Sequence, residues 1–395
     1  MHLPSSPLPY WRLSGYYFFY FAYVGAFSPY FGLYLQSRGF SAWDIAVLMS
    51  QMQLMRLCSP NFWGWIADRG CATPRTRLTV IRLTSLLAVA CFGGLFIAQG
   101  FAAHLGAMAL LAFFWSASMP LVEALTFDHL HAEPARYSRV RLWGSVGFVV
   151  AVLSIGALLD RWPLASLLPM ALVLLLAVLA CTLSIPDAPA IAHAASQRVG
   201  DILRQARVRA LLAAAFCMSA AHGAYYVFYS IYLSEHGYSK SLVGGLWSLG
   251  VVAEIGAFLL MPRLMRRFGL RWLLLASFVA AVLRFLLIGA AVDWWPLMVV
   301  AQLLHALTFG VHHATSIAAI HRWFPGRCQA RGQALYSSLS FGAGGLFGGI
   351  VSGWAWVAWG GSLTFAFGAV FALLGWGLLV LWFPQRDALD AVAAS

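Results

Sequence analysis

Two ionisable residues stand inside apolar sequence and carry the first chemical signal in the chain. Glu123 and Arg141 lie in PLVEALTFDHLHAEPARYSRVRLWGSVGFV (Pro120 to Val149), which reads as the end of one membrane helix, a short basic hairpin and the start of the next. An ionised group in hydrocarbon costs roughly 2.5–3.5 kcal/mol on insertion scales, so it faces a cavity or a partner. The two residues lie about equally far from the intervening loop and can therefore meet at one depth. Arg56 joins them in the first half of the chain; Glu254, Arg284 and His305 form a comparable set in the second. Arginine stays charged and offers a planar fork to a carboxylate, while carboxylates and histidine exchange protons. Such a set suits anion binding and proton coupling. Arg82 and Asp128 fall near helix ends, where snorkelling and capping are the simpler readings. His222, His312 and His313 add imidazoles, with His305, Thr308 and His312 on one helical face. No HExxH or CxxC spacing accompanies them, so no metal and no cofactor are expected.

The elements that hold these groups follow from composition. The chain has 395 residues, 62% hydrophobic and 10% charged, where a soluble domain is nearer 25% charged. An all-α polytopic membrane protein follows, with twelve transmembrane helices at roughly 13–36, 43–67, 78–99, 102–127, 137–159, 163–184, 208–234, 241–263, 271–292, 295–320, 331–357 and 362–383. The polar segment 186–207 divides them into an N-terminal six-helix bundle (1–185) and a C-terminal one (208–395). The net charge of +12 comes almost wholly from arginine in short loops. That is an orientation signal rather than a nucleic-acid signal: eighteen cationic residues fall on the face shared with both termini, against Arg38, Arg161 and Lys240 opposite. Both termini are therefore placed in the cytoplasm. The first apolar run is of full helix length and reads as its own insertion signal, not as a cleaved leader.

The halves echo each other. One helix ends in GWIADRG (Gly64 to Gly70) and its counterpart in MPRLMRRFG (Met261 to Gly269). Two six-helix repeats of parallel topology, joined by a basic loop, are the major facilitator pattern, which places substrate near the bilayer midplane. The DRG turn resembles a degraded form of that superfamily's loop signature, with Asp68 capping a neighbouring helix. Tyrosine marks two helices, YYFFYFAY (Tyr16 to Tyr23) and AYYVFYSIY (Ala224 to Tyr232). Tyr20, Tyr225, Tyr226 and Tyr229 are the candidates to pack on a ring-bearing solute. Lipid-facing and interfacial aromatics are the competing reading for at least half of these side chains. SLSFGAGGLFGGIVSG (Ser338 to Gly353) supplies small residues for close helix packing.

RLWGSVGF (Arg141 to Phe148), HGAYYVFYSIY (His222 to Tyr232), GLWSLGVVAEI (Gly245 to Ile255), LRFLLIGA (Leu283 to Ala290) and QLLHALTFG (Gln302 to Gly310) resemble the phenylpropionate permease family, as do the carboxylate of PLVEAL and the arginine of LMRL. More distantly the chain is similar to lactose permease-type proton symporters. That resemblance implies that Glu123 and Arg141 form a substrate-binding pair and that Arg284 and His305 work in proton coupling. The proton-carrying carboxylate beside that histidine is replaced here by Thr308, which leaves Glu254 as the candidate in the second half.

The expected function is a secondary transporter that imports a small organic anion, such as an aromatic carboxylate, with protons, by alternating access. Arg56 or Arg141 would hold the carboxylate, and Glu123 or Glu254 would exchange the proton. Rival readings are a sugar or nucleoside symporter and a drug or metabolite exporter of the same fold. No nucleophile-and-base pair points to an enzyme, and no GxxxxGK[ST] motif points to ATP. The expected setting is a bacterial cytoplasmic (inner) membrane, with solute, protons and lipid as partners, no nucleic acid, and function as a monomer.

Overall fold

A computed structural model describes residues 9–69, 75–130, 136–187, 200–324 and 328–383, with the side chains of 68, 69, 75, 76 and 330 left out. No strand occurs among the described residues. The helices are α1 (Tyr10–Ser37), α2 (Ala42–Arg69), α3 (Arg75–Gly93), α4 (Gly100–Leu130), α5 (Tyr137–Leu159), α6 (Leu167–Ser184), α7 (Gly200–Leu203), α8 (Ala206–Ala221), α9 (Gly223–Glu235), α10 (Lys240–Ala290), α11 (Trp295–His305), α12 (His312–Trp323), α13 (Gln329–Ser337) and α14 (Gly345–Trp382). Two π-helical segments, Ala306–Val311 and Ser338–Gly344, join α11 to α12 and α13 to α14. The edges fall within a few residues of the hydropathy spans. The Asp68 side chain and most of segment 186–207 lie outside the described residues.

Among the described residues, eight helices are long and apolar enough to cross a membrane. Two of these are too long for one crossing. The 51 residues of α10 would extend about 77 Å at 1.5 Å per residue, against a hydrocarbon core of about 30 Å. Each long helix is broken at a glycine: Gly269 (φ 69°, ψ 168°) in α10 and Gly360 (φ 76°, ψ 178°) in α14. That corner of backbone space is open essentially to glycine alone. Both breaks fall between spans that hydropathy separates.

The contacts divide the chain into two compact units, Met1–Ser37 with Met55–His193, and Arg38–Leu54 with Ala194–Ser395. In the first unit α1 packs on α5 and α6, and α3 on α4 and α6. The tyrosines of α1 are not lipid-facing. Tyr16, Tyr17, Tyr20, Tyr23, Tyr30 and Tyr34 are all buried, and Tyr16 and Tyr30 bond to Ser118 Oγ (2.6 Å) and the Val152 carbonyl (2.7 Å). Arg82 donates to the carbonyls of Thr182, Leu183 and Ile185 at the end of α6, and Asp128 pairs with Arg77. Both are thus helix-end partners, as their positions suggested.

In the second unit α14 packs on α8, α9 and α10. The first part of α2 also belongs here: Ser50 and Ala46 lie directly against Gly349 and Gly353 of α14, where a side chain would have no room.

The two breaks give a stability prediction. Gly269→Val forces an L-residue into a region that costs of order 1–3 kcal/mol. Its melting temperature in detergent should fall by several degrees. Gly245→Ala, in open space on the same helix, should melt at or slightly above wild type.

Candidate functional site

Each unit carries its own cluster of ionisable and aromatic side chains. In the first, α4 supplies Glu123, α5 supplies Tyr137 and Arg141, and α1 supplies Tyr17, Tyr20 and Phe21. Glu123 Oε1 accepts a hydrogen bond from Tyr137 Oη at 2.8 Å. Arg141 stands over the Phe21 ring, 4.0 Å from its centroid, and 5.7 Å from that of Tyr17. Gly144, one turn on from Arg141, makes this possible, because a Cβ there would lie 2.7 Å from both the guanidinium and the Phe21 ring. Glu123 and Arg141 thus share a cluster, as expected, but form no ion pair among the described residues. The tyrosine holds the carboxylate, and no hydrogen-bond acceptor among the described residues engages the guanidinium. Tyr20 stacks on Trp115 with centroids 4.5 Å apart and planes 7° off parallel. Arg56, exposed on α2, lies close enough to Tyr20 to act on it electrostatically.

The second unit reverses this arrangement. Arg284, on the part of α10 beyond Gly269, is fully buried. Its Nε donates to the Ala301 carbonyl at 3.0 Å; one terminal nitrogen reaches His222 Nε2 at 3.1 Å and Thr308 Oγ1 at 3.3 Å. His222 Nδ1 lies 2.8 Å from the Met218 carbonyl and donates to it, which leaves Nε2 as acceptor for Arg284. The guanidinium also lies 4.2 Å from the Tyr225 centroid, and Tyr225 Oη donates to Gln302 Oε1 at 3.2 Å. Among the described residues the second terminal nitrogen of Arg284 and the Tyr229 hydroxyl have no hydrogen-bond partner. Glu254 Oε2 stands 3.9 Å from His305 Nε2. The π segment at Ala306–Val311 contains Gly310, whose missing side chain admits Glu254: a Cβ there would sit 3.0 Å from Glu254 Cγ. π-Helical turns gather at functional sites.

The sequence-predicted residues therefore fall into two groups: Glu123, Arg141, Tyr20 and Arg56 in one unit, and Glu254, Arg284, His305, Tyr225, Tyr226 and Tyr229 in the other. Tyr137, Phe21 and Trp115 escaped the sequence reading, and so did the role of His222 as the acceptor for Arg284. Only the helical phase of Tyr137, four residues before Arg141, could have signalled the first. Among the described residues, no group of three or more His, Cys, Asp or Glu side chains could hold a metal ion.

The MFS_1-like family matches residues 10–367, which is most of the chain. The protein belongs to the MFS_1-like family. Its relatives are transporters, not enzymes. It is 32% identical over 345 residues to the "Probable 3-phenylpropionic acid transporter" of Escherichia coli (strain K12), covering 84% of this chain and 87% of that protein. It is 28% identical to the maltose permease of Geobacillus stearothermophilus, covering 94% of each. Two crystal structures of the nucleoside transporter NupG, one of a mutant, superpose with TM-scores of 0.84 and 0.80 at 16% identity, covering 95% and 96% of this chain and 100% of each NupG chain. The fold is thus that of the MFS-type transporters, and this MFS_1-like protein is a multi-span membrane transporter of small molecules.

Arg284 tests whether this MFS_1-like protein keeps its buried charge for folding or for function. No carboxylate among the described residues bonds it, so its removal ends the desolvation cost of an unpaired buried charge, the larger effect, against the loss of a donor to one carbonyl, one imidazole and one hydroxyl. Arg284→Met should melt at or above the wild-type temperature in detergent. Arg284→Lys, which cannot span the same three acceptors, should melt lower. A loss of about 3 kcal/mol or more in Arg284→Met would make the guanidinium a structural keystone instead.

Proposed function

We propose that the protein is a twelve-pass secondary transporter that imports a small organic anion, of the aromatic carboxylate class represented by phenylpropionate, together with protons. The observation that carries this reading is the Arg141 guanidinium, laid on the Phe21 ring with no hydrogen-bond acceptor among the described residues. An arginine so placed offers its donor fork to a carboxylate. Tyr137 binds Glu123 and so keeps it from neutralising Arg141. Tyr17 and the Tyr20–Trp115 stack surround the same cluster with aromatic surface for a ring. The 32% identical relative named for 3-phenylpropionic acid supports the same substrate class.

Twelve passes follow from counting α10 and α14 twice, across Gly269 and Gly360, and adding α1 and α2 to the eight apolar helices. The helices before and after a linker at 186–207 are read as two bundles of six, with the first part of α2 packed among the helices of the second unit. Arginine placement supports a bacterial cytoplasmic membrane setting with both termini inside, and the protein acts as a monomer working by alternating access. Proton exchange is assigned to Glu254 with His305, whose 3.9 Å approach pairs a carboxylate with an imidazole, and Arg284 supplies fixed positive charge beside them. Glu123 is the alternative proton carrier.

A second reading, a proton-coupled sugar or nucleoside symporter, draws on a different observation. Gln302 and Tyr225, hydrogen-bonded to each other, stand with Tyr229 and Thr308 as a neutral polar group beside Arg284, which suits hydroxyl-rich solutes. The maltose permease and nucleoside transporter relatives favour it too.

Uptake of labelled phenylpropionate into proteoliposomes, with and without an inward proton gradient, separates the two. Wild type should accumulate the label only with the gradient. Arg141→Gln should lose roughly 10- to 100-fold of that uptake, the worth of a charge-assisted fork of about 1.5–3 kcal/mol. Wild-type protein that ignores phenylpropionate but takes up maltose or uridine would sink the anion assignment and favour the second reading.

A further inference from the structure

A second polar cluster lies along the same face as the Glu254–His305 pair, and one apolar ring separates the two. His305, Phe309 and His313 follow at four-residue intervals across the π segment, so their rings form a column. Phe309 is 5.4 Å from His305 and 6.1 Å from His313, and its plane is 17° from each. Beyond it, His313 Nδ1 is 3.3 Å from the Tyr336 hydroxyl. Phe309 also forms one wall of a partly open cleft whose space, open solvent included, is ≈ 300 Å³. Thr308, His312, Tyr336, Ser219 and Ser340 contribute polar walls. His312 lines the cleft, and among the described residues neither its buried Nε2 nor the buried Nδ1 of His305 has a hydrogen-bond partner. Such a cleft takes a water where it leaves room for about one molecule beside two or more polar partners.

We propose that Phe309 is a proton gate: its ring blocks a hydrogen-bonded path that would otherwise run from Glu254 and His305 through cavity water to His313 and Tyr336. This rests on the assignment of proton exchange to Glu254 and His305. The path is a relay of ordinary steps. The Glu254 carboxyl gives its proton to His305 Nε2, and the imidazolium releases its Nδ1 proton to water. That water passes a proton to His313, the carboxylate is left ionised, and His305 is left with its proton on Nε2 instead of Nδ1, so the ring must reset its tautomer before the next turn. Phe309 offers no donor or acceptor, so the relay stops at its ring. Arg284 and His222 flank the column from α10 and from the junction of α8 and α9. The Arg284 charge repels a proton arriving from that direction, which confines the route to α11 and α12. Tyr226 closes the cavity from α9. The π turn places Phe309 there, and its return to a regular α-turn would rotate the ring out of the column.

The test needs no substrate. Full-length protein is reconstituted into vesicles holding a pH-sensitive dye, and proton entry is followed under a potassium diffusion potential. Phe309→His keeps a ring of similar size and restores hydrogen bonding, so proton entry should rise about tenfold over wild type, since imidazole relays protons near neutral pH. Phe309→Leu keeps the block apolar and should match wild type. Adding His313→Leu to Phe309→His should return the leak to the wild-type rate. A folded Phe309→His no leakier than wild type overturns the gate, as does a Phe309→Leu that leaks equally. If Phe309→His does not give monodisperse protein, Phe309→Ala, which opens the column to water, takes its place with the same expectations. Acidification on adding phenylpropionate to wild-type vesicles, beyond that of protein-free vesicles, reports the coupling itself. Coupled wild type with a silent Phe309→His removes the gate alone; a leaky Phe309→His in an uncoupled wild type removes the coupling alone.

Discussion

The cost of an unpartnered charge in hydrocarbon governs this structure. Every ionisable side chain inside the bilayer must be hydrogen-bonded, moved to an end or held for a ligand. Arg82 and Arg77 take the second course, one on the closing carbonyls of α6 and the other on Asp128. Arg284 takes the first, using a backbone carbonyl, a neutral imidazole and a hydroxyl in place of a carboxylate. Arg141 takes neither. It rests on an aromatic face, which attracts a cation through the ring quadrupole but leaves its N–H groups uncommitted. In the proposed mechanism this contrast is what separates a fixed charge from a binding group.

The same constraint explains what could be read from the chain. The spans were legible because hydrocarbon demands about 20 apolar residues at a time, and even the breaks at Gly269 and Gly360 fall between hydropathy spans. Arg82 and Asp128 were legible because their positions near helix ends left them a short way out. The membership of the two clusters was legible too, since buried charge is rare enough to stand out. What could not be read was the pairing within each cluster. Glu123 and Arg141 are at matching depth, and opposite charge makes them obvious partners. Yet Tyr137 lies on the same helix face as Arg141 and reaches the carboxylate first. Side-chain reach and rotamer decide such contests, and neither has a periodicity. The lipid-facing reading of the α1 tyrosines failed for a related reason: hydropathy cannot tell a helix facing lipid from one packed on its neighbours, and the hydroxyls of Tyr16, Tyr17 and Tyr30 find partners inside the unit.

The π segments belong to the part that sequence conceals. Nothing in QLLHALTFG or SLSFGAGG requires a widened turn, but both sequences place glycine and small polar residues where a regular helix would need bulk. Both segments line one cavity, Thr308 and Phe309 from the first and Ser340 and Phe341 from the second. A π turn sacrifices regular backbone bonding to bring side chains to positions an α-helix cannot offer. Here it brings Gly310 against Glu254 and sets Phe309 between two imidazoles.

The two units therefore use the same residue types in opposite senses. In the first, the acid is tied down by tyrosine and the base is left with its donors uncommitted. In the second, the base is tied down by carbonyl, imidazole and hydroxyl, and the acid stands against a titratable histidine. A uncommitted guanidinium selects an anion; a carboxylate beside an imidazole selects a proton. Had both units kept an ion pair of the Glu–Arg kind, each charge would be neutralised internally and neither would gain by meeting a ligand. Breaking the symmetry in opposite directions leaves one cluster with an uncommitted guanidinium and the other with a carboxylate beside an imidazole, which is the division of labour that the proposed anion–proton symport needs.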